Sequence, residues 1–471
     1  MITISIITVF PQLHESFISL SLLGKAQEKG LLKINLIRFS DFVAPKERID
    51  QQLCGPGAGM ILKPEVVEKA LNYCITTYGN GFKIFFSPQG IVITQPVVKL
   101  LAEKLFSTES TLSCPTGSTL RQAESELGIG LQSSLEAKQD LHIMLVCPRY
   151  EGMDARVEQK YADAVISIGD YVLMGGDLPA QVLLEALLRY VPGVVGNTES
   201  VEADSFTGPL LDHPAYTLPA TWHEQEIPAI VRSGNHEAIA QWRQEQACKK
   251  TILQRFDWFR AAQPSKELCN EASKTIPPHY VILMHDQVKL PDGTTGTSSV
   301  TSIVIHDTAR SCATYGIENF FLVTPLVDQL SIVETFLSFW HSERGKKYNP
   351  SRFKAVSRVR TEISLARALA SIEAETGKKP IIITTSAKTM SHATTIDYHS
   401  QETIWVQKRP VVFIFGTAQG LADEVVNQSD YLLLPITGMT DYNHLSVRSA
   451  MAIILDRWLG LQPKLPKNLI Q

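Results

Sequence analysis

The sequence predicts an α/β protein built on parallel β-sheets. Continuous apolar runs such as Ile2–Phe10 and Val411–Phe415 are typical of strands buried on both faces. Segments of helical period separate these runs in both halves of the chain, which is the alternation that a parallel sheet requires. From this pattern alone, with knotted topologies set aside as rare, we expect doubly wound open sheets.

Length and composition limit the possible classes of protein. A chain of 471 residues is too long for one core, so two or three domains are expected. Apolar residues make up 44% and charged residues 20%, which excludes wholesale disorder. With a net charge of −4, a nucleic-acid partner must be met by a local basic patch.

Cysteine usage and hydropathy predict where the protein works. Seven scattered cysteines without a CxxC pair indicate reduced thiols, and neither a disulfide framework nor a zinc site. The N-terminus lacks the features of a signal peptide, and no run of 18 apolar residues occurs. We therefore expect a cytoplasmic protein that neither spans a membrane nor binds DNA.

The elements of the first half can be read in order. Helical patterns follow the first strand at Leu13–Lys29 and Pro64–Tyr78. Further strands are predicted at the apolar runs Leu31–Phe39, Lys83–Phe86, His142–Val146 and Ala164–Ile168. Between the third and fourth strands, Ser107–Ser134 is rich in Ser, Thr and Gly and reads as a solvated insertion.

Two of these strands end in glycine turns. The run His142–Val146 leads into Pro148–Gly152, and Ala164–Ile168 leads into Gly169 and then Gly175-Gly176. The helical pattern Pro179–Tyr190 begins beside the second turn. An α/β protein builds a small-molecule pocket in this way, at the carboxyl ends of its strands. An ordinary core without a ligand would give the same pattern.

A linker and a basic helical segment follow. Residues 200–219 are poor in apolar runs, and Ile230–Phe259 is helical in pattern with a local excess of three positive charges over the stretch to Arg260. Clustered basic residues suit phosphate contacts, although a solvated helix face is an equally good explanation. Arg260–Pro278 is polar and ends in two prolines, which indicates a domain boundary.

The second half repeats the pattern of the first. Strands are predicted at His279–Leu283, Thr301–His306, Phe320–Val323, Ile381–Thr384, Val411–Phe415 and Tyr431–Leu434, and helices at Asp307–Tyr315, Leu330–His341, Ser364–Thr376 and Ser446–Leu459. Gly416–Gly420 falls where Pro148–Gly152 falls in the first half. Internal similarity of this length indicates a second domain of the same class.

Several motifs of the first half resemble those of a known family. They are CPRYEGMD (147–154), SIGDYVLMGGDLPA (167–180), RYVPGVVGN (189–197), ESVEADSF (199–206), GPGAGM (55–60), SPQG (87–90), HPAYTLP (213–219) and SGNH (233–236). The stretch 1–262 thereby resembles the bacterial tRNA (guanine-N1)-methyltransferases of the SPOUT class. The resemblance implies S-adenosylmethionine as methyl donor and methylation of N1 of the guanosine 3′ of the anticodon, position 37 of tRNA.

The same resemblance implies an architecture. SPOUT domains have a trefoil knot whose loops form the cofactor pocket, and they act as homodimers. We accordingly expect a SPOUT domain at residues 1–200, with the insertion at about 107–134. A linker and small helical tRNA-binding domain at 201–262 and a linker at 263–276 would follow.

Residue roles are carried over from the family position by position. Asp204 matches its general base, Arg189 an arginine near the guanine carbonyl oxygen, and Glu151 an acidic residue linked to Mg²⁺. The cofactor-binding positions match Ser87, Pro88, Gln89, Gly90, Pro148, Tyr150, Glu151, Gly152, Ser167, Ile168, Gly169, Tyr171, Leu173, Gly175, Gly176 and Pro179. The chain departs from the family at Pro148, where glycine is usual, and at Gln51 and Leu53-Cys54 on the substrate side.

The second half resembles a different group. HDTARSCATYG (306–316), LVTP (322–325), YNP (348–350), FGTAQGLADE (415–424) and DYNHLSVRSA (441–450) are similar to bacterial SPOUT-class RNA methyltransferases of undefined substrate. We expect a second SPOUT-type domain at 277–471. Its candidate site residues are Arg310, Gly416, Gly420, Ile436, Gly438, Asn443, His444 and Ser446.

Two alternatives compete with a two-domain methyltransferase. The second half could be a non-catalytic RNA-binding or dimerisation module. A dinucleotide-dependent oxidoreductase is disfavoured, because no strand leads into a GxGxxG turn with an acidic residue about 20 positions later.

Overall fold

The computed structural model describes residues 1–57, 59–106, 141–196, 204–390 and 393–462. The described chain forms two compact units, of which the first ends at Thr207 and the second begins at Gly208. The predicted insertion at 107–134 lies outside the described residues. In the part of the chain that is described, none of the helices combines the length and apolarity needed to cross a membrane.

The first unit contains a five-stranded parallel sheet. Its strands are β1 (Ile2–Thr8), β2 (Leu32–Arg38), β5 (Phe82–Val92), β6 (Leu141–Val146) and β7 (Ala164–Ser167), in the spatial order β2-β1-β6-β5-β7. A separate hairpin joins β3 (Asp50–Gln52) to β4 (Met60–Leu62). The central strands are buried on both faces, as their unbroken Ile, Leu and Val content requires.

Helices cover both faces of this sheet. They span Gln12–Ser19, Ser21–Glu28, Pro64–Tyr78, Gln95–Phe106, Ala155–Tyr161 and Asp177–Leu188. Alternate residues of β1 face opposite cores: Ile6 packs with Leu184 on one side, and Ile7 packs with Val67 on the other. The predicted α/β class with parallel sheets is confirmed.

Two local predictions for the first unit differ from the structure. The single helix predicted over Leu13–Lys29 is interrupted, because Leu20 is extended and Ser21 has a left-handed φ of 56°. The strand predicted at Lys83–Phe86 is longer than expected: β5 continues through Ser87–Gly90, and its pairing with β7 shifts register between Phe86 and Ile91. A bulge of this kind re-aims side chains at the end of a strand.

The second unit begins with helical structure that belongs to its main core. Helices span His236–Gln254, Phe256–Ala261 and Lys266–Ser273, preceded by a short hairpin of β8 (Thr221–Trp222) and β9 (Gln225–Glu226). Ile252, Phe256 and Phe259 join the same buried cluster as Trp405 and Trp458. The segment expected as a linker at 263–276 includes the helix Lys266–Ser273.

A seven-stranded parallel sheet forms the centre of the second unit. Its strands are β10 (His279–Met284), β13 (Phe320–Val323), β14 (Val359–Glu362), β15 (Ile381–Thr385), β16 (Thr395–Ile396), β17 (Val411–Gly416) and β18 (Tyr431–Leu433), in the order β14-β13-β10-β17-β15-β18-β16. A hairpin of β11 (Val288–Lys289) and β12 (Thr295–Gly296) follows β10. The helices of this part span Ser302–Thr314, Val327–His341, Glu343–Tyr348, Pro350–Val356, Leu365–Thr376, Gln401–Trp405, Asp423–Asn427 and Val447–Leu459.

The strand predicted at Thr301–His306 is wrong, because these residues open the helix Ser302–Thr314. The run of β-branched residues Ile303-Val304-Ile305 favours a strand locally. The longer pattern decides the outcome, since Ile305, Ala309 and Cys312 are buried at helical spacing while Ile303 is exposed.

The two units share one strand order. Counting only the strands common to both, each sheet places its second, first, fourth, third and fifth strands side by side. In the first unit these are β2-β1-β6-β5-β7, and in the second they are β13-β10-β17-β15-β18. The internal sequence similarity therefore corresponds to a repeated topology, and β14 and β16 extend the second sheet at its two edges.

The shared core of the second unit leads to a prediction about stability. The ring centroid of Phe256 lies 4.8 Å from that of Trp405, in an edge-on contact. Phe256→Ala should destabilise the second unit by about 3–5 kcal/mol, the usual cost of emptying a buried aromatic site. Hydrogen exchange should show reduced amide protection in β10 and β17 and unchanged protection in β1 and β6.

The matched control is Trp222→Ala, which removes an aromatic side chain that is 65% exposed. Its effect should stay within about 0.5 kcal/mol, as for most surface substitutions. Unaltered protection of β10 and β17 in Phe256→Ala would show that the helices before residue 277 are not part of that core.

Candidate active site

A cavity of about 420 Å³ lies at the carboxyl ends of β5, β6 and β7. This volume is within the range of small-molecule sites, and the edge of the sheet is where α/β proteins place them. Every residue predicted to bind the cofactor lines the cavity except Gly90. A Cβ at Gly90 would lie 2.6 Å from the Val165 carbonyl carbon, so this glycine allows β5 to pass close to β7.

Hydrogen bonds to the hairpin β3–β4 fix the conformation of the turn after β6, Pro148–Gly152. Tyr150 and Gly152 have left-handed φ values of 60° and 114°. The Glu151 N–H donates to the Met60 carbonyl at 3.0 Å, and the Leu62 N–H donates to the Gly152 carbonyl at 3.1 Å. The hairpin β3–β4 therefore fixes the turn that carries Tyr150 and Glu151 into the cavity.

The glycine-rich loop before β4 meets the same turn. A Cβ at Gly59, whose φ is 109°, would lie 2.4 Å from Cγ of Glu151. Only glycine allows this approach, so the GPGAGM motif shapes the cavity wall by packing against Glu151.

Gly175 and Gly176 bring the loop after β7 against the turn after β6. The Gly176 N–H donates to the Pro148 carbonyl at 2.8 Å. A Cβ at Gly176 would lie 2.6 Å from Cδ of Pro148 and 2.9 Å from Cα of Cys147. Proline is accommodated at position 148 because the contact uses only its carbonyl oxygen. The N–H that proline lacks is not needed for this hydrogen bond.

A buried polar network lies behind this contact, and the sequence analysis did not find it. The Asp177 carboxylate accepts hydrogen bonds from Thr8 and from Nε of Arg149, the latter at 2.8 Å, and it pairs with Nε2 of His14 at 3.0 Å. Burial raises the pKa of Asp177, but these hydrogen bonds and the Arg149 charge outweigh it, so the pKa falls below its ordinary value. The network ties the first strand to the start of the helix Asp177–Leu188.

His14, Cys147 and Asp177 also form a group of potential metal ligands among the described residues. The Asp177 oxygens are already used by Thr8, His14 and Arg149. Burial raises the pKa of the Cys147 thiol well above its usual value, which disfavours the thiolate that a metal would need. We therefore assign this group a structural role.

Arg189 and Asp204 form an ion pair, each with about two fifths of its side chain exposed. Arg189 caps the helix Asp177–Leu188. Asp204 begins a short turn, and its backbone carbonyl accepts a hydrogen bond from the Thr207 hydroxyl at 2.6 Å. Neither residue lines the cavity. The structure therefore brings the two predicted catalytic residues together, at the end of the helix Asp177–Leu188 opposite to the end that lines the cavity.

Glu158 lines the cavity and was not anticipated. It lies on the helix Ala155–Tyr161, and burial raises the pKa of its carboxyl group. No ion pair joins it to a cation among the residues that the structure describes. Glu158 lies outside the motifs that carry the family resemblance, and its local sequence gives no signal for a site residue.

The second unit repeats the backbone conformation of the first turn. Ala418 and Gly420 have φ values of 52° and 105°, at the same positions in Gly416–Gly420 as Tyr150 and Gly152 in Pro148–Gly152. A hairpin again fixes the turn: the Gln419 N–H donates to the Lys289 carbonyl, and the Lys289 N–H donates to the Gly420 carbonyl, both at 2.9 Å.

The other candidates of the second unit surround the loops that follow β15 and β18. Nδ2 of Asn443 donates to the Ala387 carbonyl at 2.7 Å, which links these two loops. Ser446 caps the helix Val447–Leu459, and the His444 ring lies edge-on to Tyr442 at 5.6 Å. Ile436 packs against the core, while Gly438 has open space beside it.

Arg310 is exposed on the helix Ser302–Thr314, which packs against the helix Val447–Leu459. An ion pair between Arg448 and Asp307, with 2.6 Å between Nη1 and Oδ2, joins these two helices. The packing of these two helices is what links Arg310 to the loop residues.

A buried histidine stands behind the second turn. Nδ1 of His285 lies 3.0 Å from the Ser298 hydroxyl, which in turn contacts the Thr417 hydroxyl. Burial lowers the pKa of His285 to about 4, so the ring is neutral at physiological pH. These three residues connect the end of β10 to the turn after β17, and sequence reasoning had not singled them out.

Comparison with known proteins assigns both halves. Residues 2–108 and 106–261 match the family described as tRNA (Guanine-1)-methyltransferase TrmD, and residues 278–460 match SAM-dependent RNA methyltransferase. A tRNA (guanine-N(1)-)-methyltransferase of Nitratidesulfovibrio vulgaris is 34% identical over 462 residues, covering 97% of this chain and 99% of the relative. The chain belongs to the tRNA (guanine-N1)-methyltransferase family.

Other members of the family are shorter. The tRNA (guanine-N(1)-)-methyltransferase of Geobacillus kaustophilus is 36% identical over 255 residues, which is 54% of this chain and 90% of that protein. The Oleidesulfovibrio alaskensis relative, like that of Nitratidesulfovibrio vulgaris, matches over 97% of this chain at 34% identity. Both halves therefore occur together in some tRNA (guanine-N1)-methyltransferases and not in others.

S-adenosylmethionine is the methyl donor of these families, and the cavity suits it. Backbone groups of three loops face the cavity, and small residues leave room for a ligand close to the main chain. The carboxyl group of Glu158 lines the cavity and would face the positive charge that this ligand carries on its sulfonium and amino groups. The described residues that line the cavity therefore fit S-adenosylmethionine.

The close contact at Gly176 leads to a prediction about binding. Gly176→Ala would force Cβ against Pro148 and Cys147, and overpacking of such a site costs about 1–3 kcal/mol. If this cost falls on the ligand-bound state, the affinity of the first unit for S-adenosylmethionine should fall by about 5- to 150-fold, measured by isothermal titration calorimetry.

Gly196→Ala provides the control, because a Cβ there would meet nothing within 4 Å. Its affinity should equal that of the wild type. If Gly176→Ala also binds with wild-type affinity, the contact with Pro148 does not shape the cofactor site.

Proposed function

We propose that the first unit methylates N1 of the guanosine at position 37 of tRNA, immediately 3′ of the anticodon. The observation that supports this most directly is the cavity, which collects the predicted cofactor residues from loops that are far apart in sequence. Family membership supports guanine N1 as the methyl acceptor. Because tRNA is the substrate, we place the protein in the cytoplasm.

The chemistry requires a base. Guanine N1 carries a proton at neutral pH and becomes a good nucleophile only when that proton leaves. The methyl group of S-adenosylmethionine is already electrophilic when the donor is bound. Asp204 accepts the N1 proton in this proposal, and Arg189 stabilises the negative charge that develops on the guanine carbonyl oxygen.

Homodimerisation would bring Asp204 to a cavity that it does not line within one chain. Exposed apolar side chains support an interface next to the cavity: Val172 and Met174 are more than four fifths exposed, and Leu178 and Val182 lie on one exposed face of the helix Asp177–Leu188. Exposed apolar patches of this kind mark protein interfaces. The partner subunit then supplies the base to each cavity.

We further propose that each sheet carries a trefoil knot at its cofactor loops. The support is family membership together with the strand order that the two units share. The knot would explain how loops after β5, β6 and β7 come to enclose one cavity.

Mg²⁺ is proposed at Glu151. Its side chain is exposed at the cavity and packs against Gly59. One carboxylate is an adequate protein ligand for Mg²⁺, which keeps several waters and takes oxygen ligands from its substrates. Glu151 would orient the ion between the chain and the bound substrate.

For the second unit we propose methyl transfer from S-adenosylmethionine to a different RNA atom. The repeated turn geometry and the family match support cofactor binding. Gln419 stands where Glu151 stands in the first unit, so the second site lacks that metal ligand. The competing possibility is an RNA-binding or dimerisation module without activity.

The role of Asp204 is tested by Asp204→Asn. Loss of a general base should slow methyl transfer by about 10²-fold or more while S-adenosylmethionine affinity stays unchanged. Single-turnover rates with a tRNA transcript that carries guanosine at position 37 measure the first quantity, and calorimetry measures the second. Asp41→Asn, an exposed carboxylate outside the site, should behave as wild type.

A rate for Asp204→Asn within about threefold of wild type would remove Asp204 from the role of base. Nucleoside analysis of tRNA from a deletion strain tests the product: 1-methylguanosine should be absent and should return with the wild-type gene. Its persistence in the deletion strain would contradict the proposed substrate.

A further inference from the structure

The stretch from His341 to Arg360 is strongly basic in an otherwise acidic chain. It contains seven lysines and arginines and one acidic residue, Glu343, while the whole chain carries a net charge of −4. The helices Glu343–Tyr348 and Pro350–Val356 present this charge. We define the basic surface as the exposed side chains Arg344, Lys346, Lys347 and Lys354.

The fold accounts for the other cations of this stretch. The Arg352 guanidinium stacks over Trp340 at 5.5 Å, Arg358 donates to the Ile317 carbonyl, and Arg360 pairs with Glu375 at 3.5 Å. The basic surface has fewer such contacts: Lys346 lies 5.8 Å from the centre of the Phe353 ring. Lys346 approaches Glu343 only at 3.9 Å, and Arg344, Lys347 and Lys354 make no ion pair in the part of the chain that is described.

Exposed aromatic rings lie in the same region. Tyr348 is 75% exposed and Phe339 is 47% exposed, and both rings lie within about 6 Å of the Trp340 ring. Burying either ring against a partner would be favourable. Cations that track a phosphate backbone next to rings on which bases stack are the combination that single-stranded nucleic acid requires.

Helix packing connects the basic surface to the candidate site of the second unit. The helix Pro350–Val356 packs against the helix Ser302–Thr314, which carries Arg310. The helix Ser302–Thr314 also packs against Val447–Leu459, which begins at Ser446. The helix Ser302–Thr314 therefore contacts both the helix that carries Lys354 and the helix that begins after Ser446.

We infer that the basic surface binds the phosphate backbone of the RNA that the second unit methylates. The inference rests on the proposed RNA methyltransferase activity of that unit. RNA satisfies both features of the surface, because its phosphates neutralise the cations and its bases cover Tyr348 and Phe339. An acidic membrane would satisfy the charge alone.

The test compares the full chain with the triple variant Arg344→Gln, Lys347→Gln, Lys354→Gln. Binding of fluorescein-labelled polyuridine is measured by anisotropy between about 50 and 200 mM salt. Each phosphate contact with single-stranded RNA contributes about 0.7 to the slope of log K against log salt, so three lost contacts should reduce the slope by about 2. The affinity should fall at every salt concentration.

A charge-matched control removes three exposed cations elsewhere in the second unit, in the triple variant Lys266→Gln, Lys274→Gln, Lys379→Gln. Its slope and affinity should equal those of wild type. Photocrosslinking with 4-thiouridine in the same RNA should label peptides from 343–356 in the wild type and in the control.

A slope and affinity for the first triple variant equal to those of the control would overturn the inference. So would loss of binding to phosphatidylglycerol vesicles with polyuridine binding unchanged, since the surface would then serve a membrane. Failure of the proposed activity gives a different result. The wild-type protein would then produce no methylated nucleoside in RNA besides 1-methylguanosine. The slope of log K against log salt for polyuridine would still show whether the basic surface contacts RNA.

Discussion

The cavity of the first unit depends on a close approach between two backbones. The loop after β7 reaches the turn after β6 so closely that the Gly176 N–H bonds to the Pro148 carbonyl at 2.8 Å, with no room for a side chain at Gly176. The helix Asp177–Leu188 begins at this contact. Asp177 then anchors it through Thr8, His14 and Arg149, which lie on three other segments. The positions of the loops that line the cavity follow from this arrangement.

The second unit meets the same constraint with different residues. Its turn Gly416–Gly420 adopts the left-handed conformations of Pro148–Gly152 at equivalent positions, and a hairpin fixes it by backbone hydrogen bonds. In the first unit the hairpin follows the second strand, and in the second unit it follows the first. The shared feature is therefore the conformation of the turn, while its side chains differ, since Gln419 stands where Glu151 stands in the first unit.

The parts of the fold that were predictable from sequence are those governed by local pattern. Apolar runs located the strands of both sheets because parallel strands are buried on both faces. The same reasoning failed at Ile303-Val304-Ile305, where β-branched residues open a helix, and at Leu20-Ser21, where a predicted helix breaks. Contacts between distant segments were beyond reach: nothing local connects Thr8 and His14 with Asp177, and Glu158 lies in no motif. The pairing of Arg189 with Asp204 joins residues that only the family resemblance had marked.

The central claim is that this chain carries two cofactor sites of one design. Equilibrium dialysis of the full chain against S-adenosylmethionine tests it most directly, because it counts sites without requiring the second RNA substrate. The account predicts two molecules of S-adenosylmethionine bound per wild-type chain. In Gly176→Ala, one molecule should remain bound at concentrations that are too low to saturate the first unit. One molecule bound to the wild type, with none bound to Gly176→Ala under those conditions, would contradict the account and leave the second unit as a scaffold.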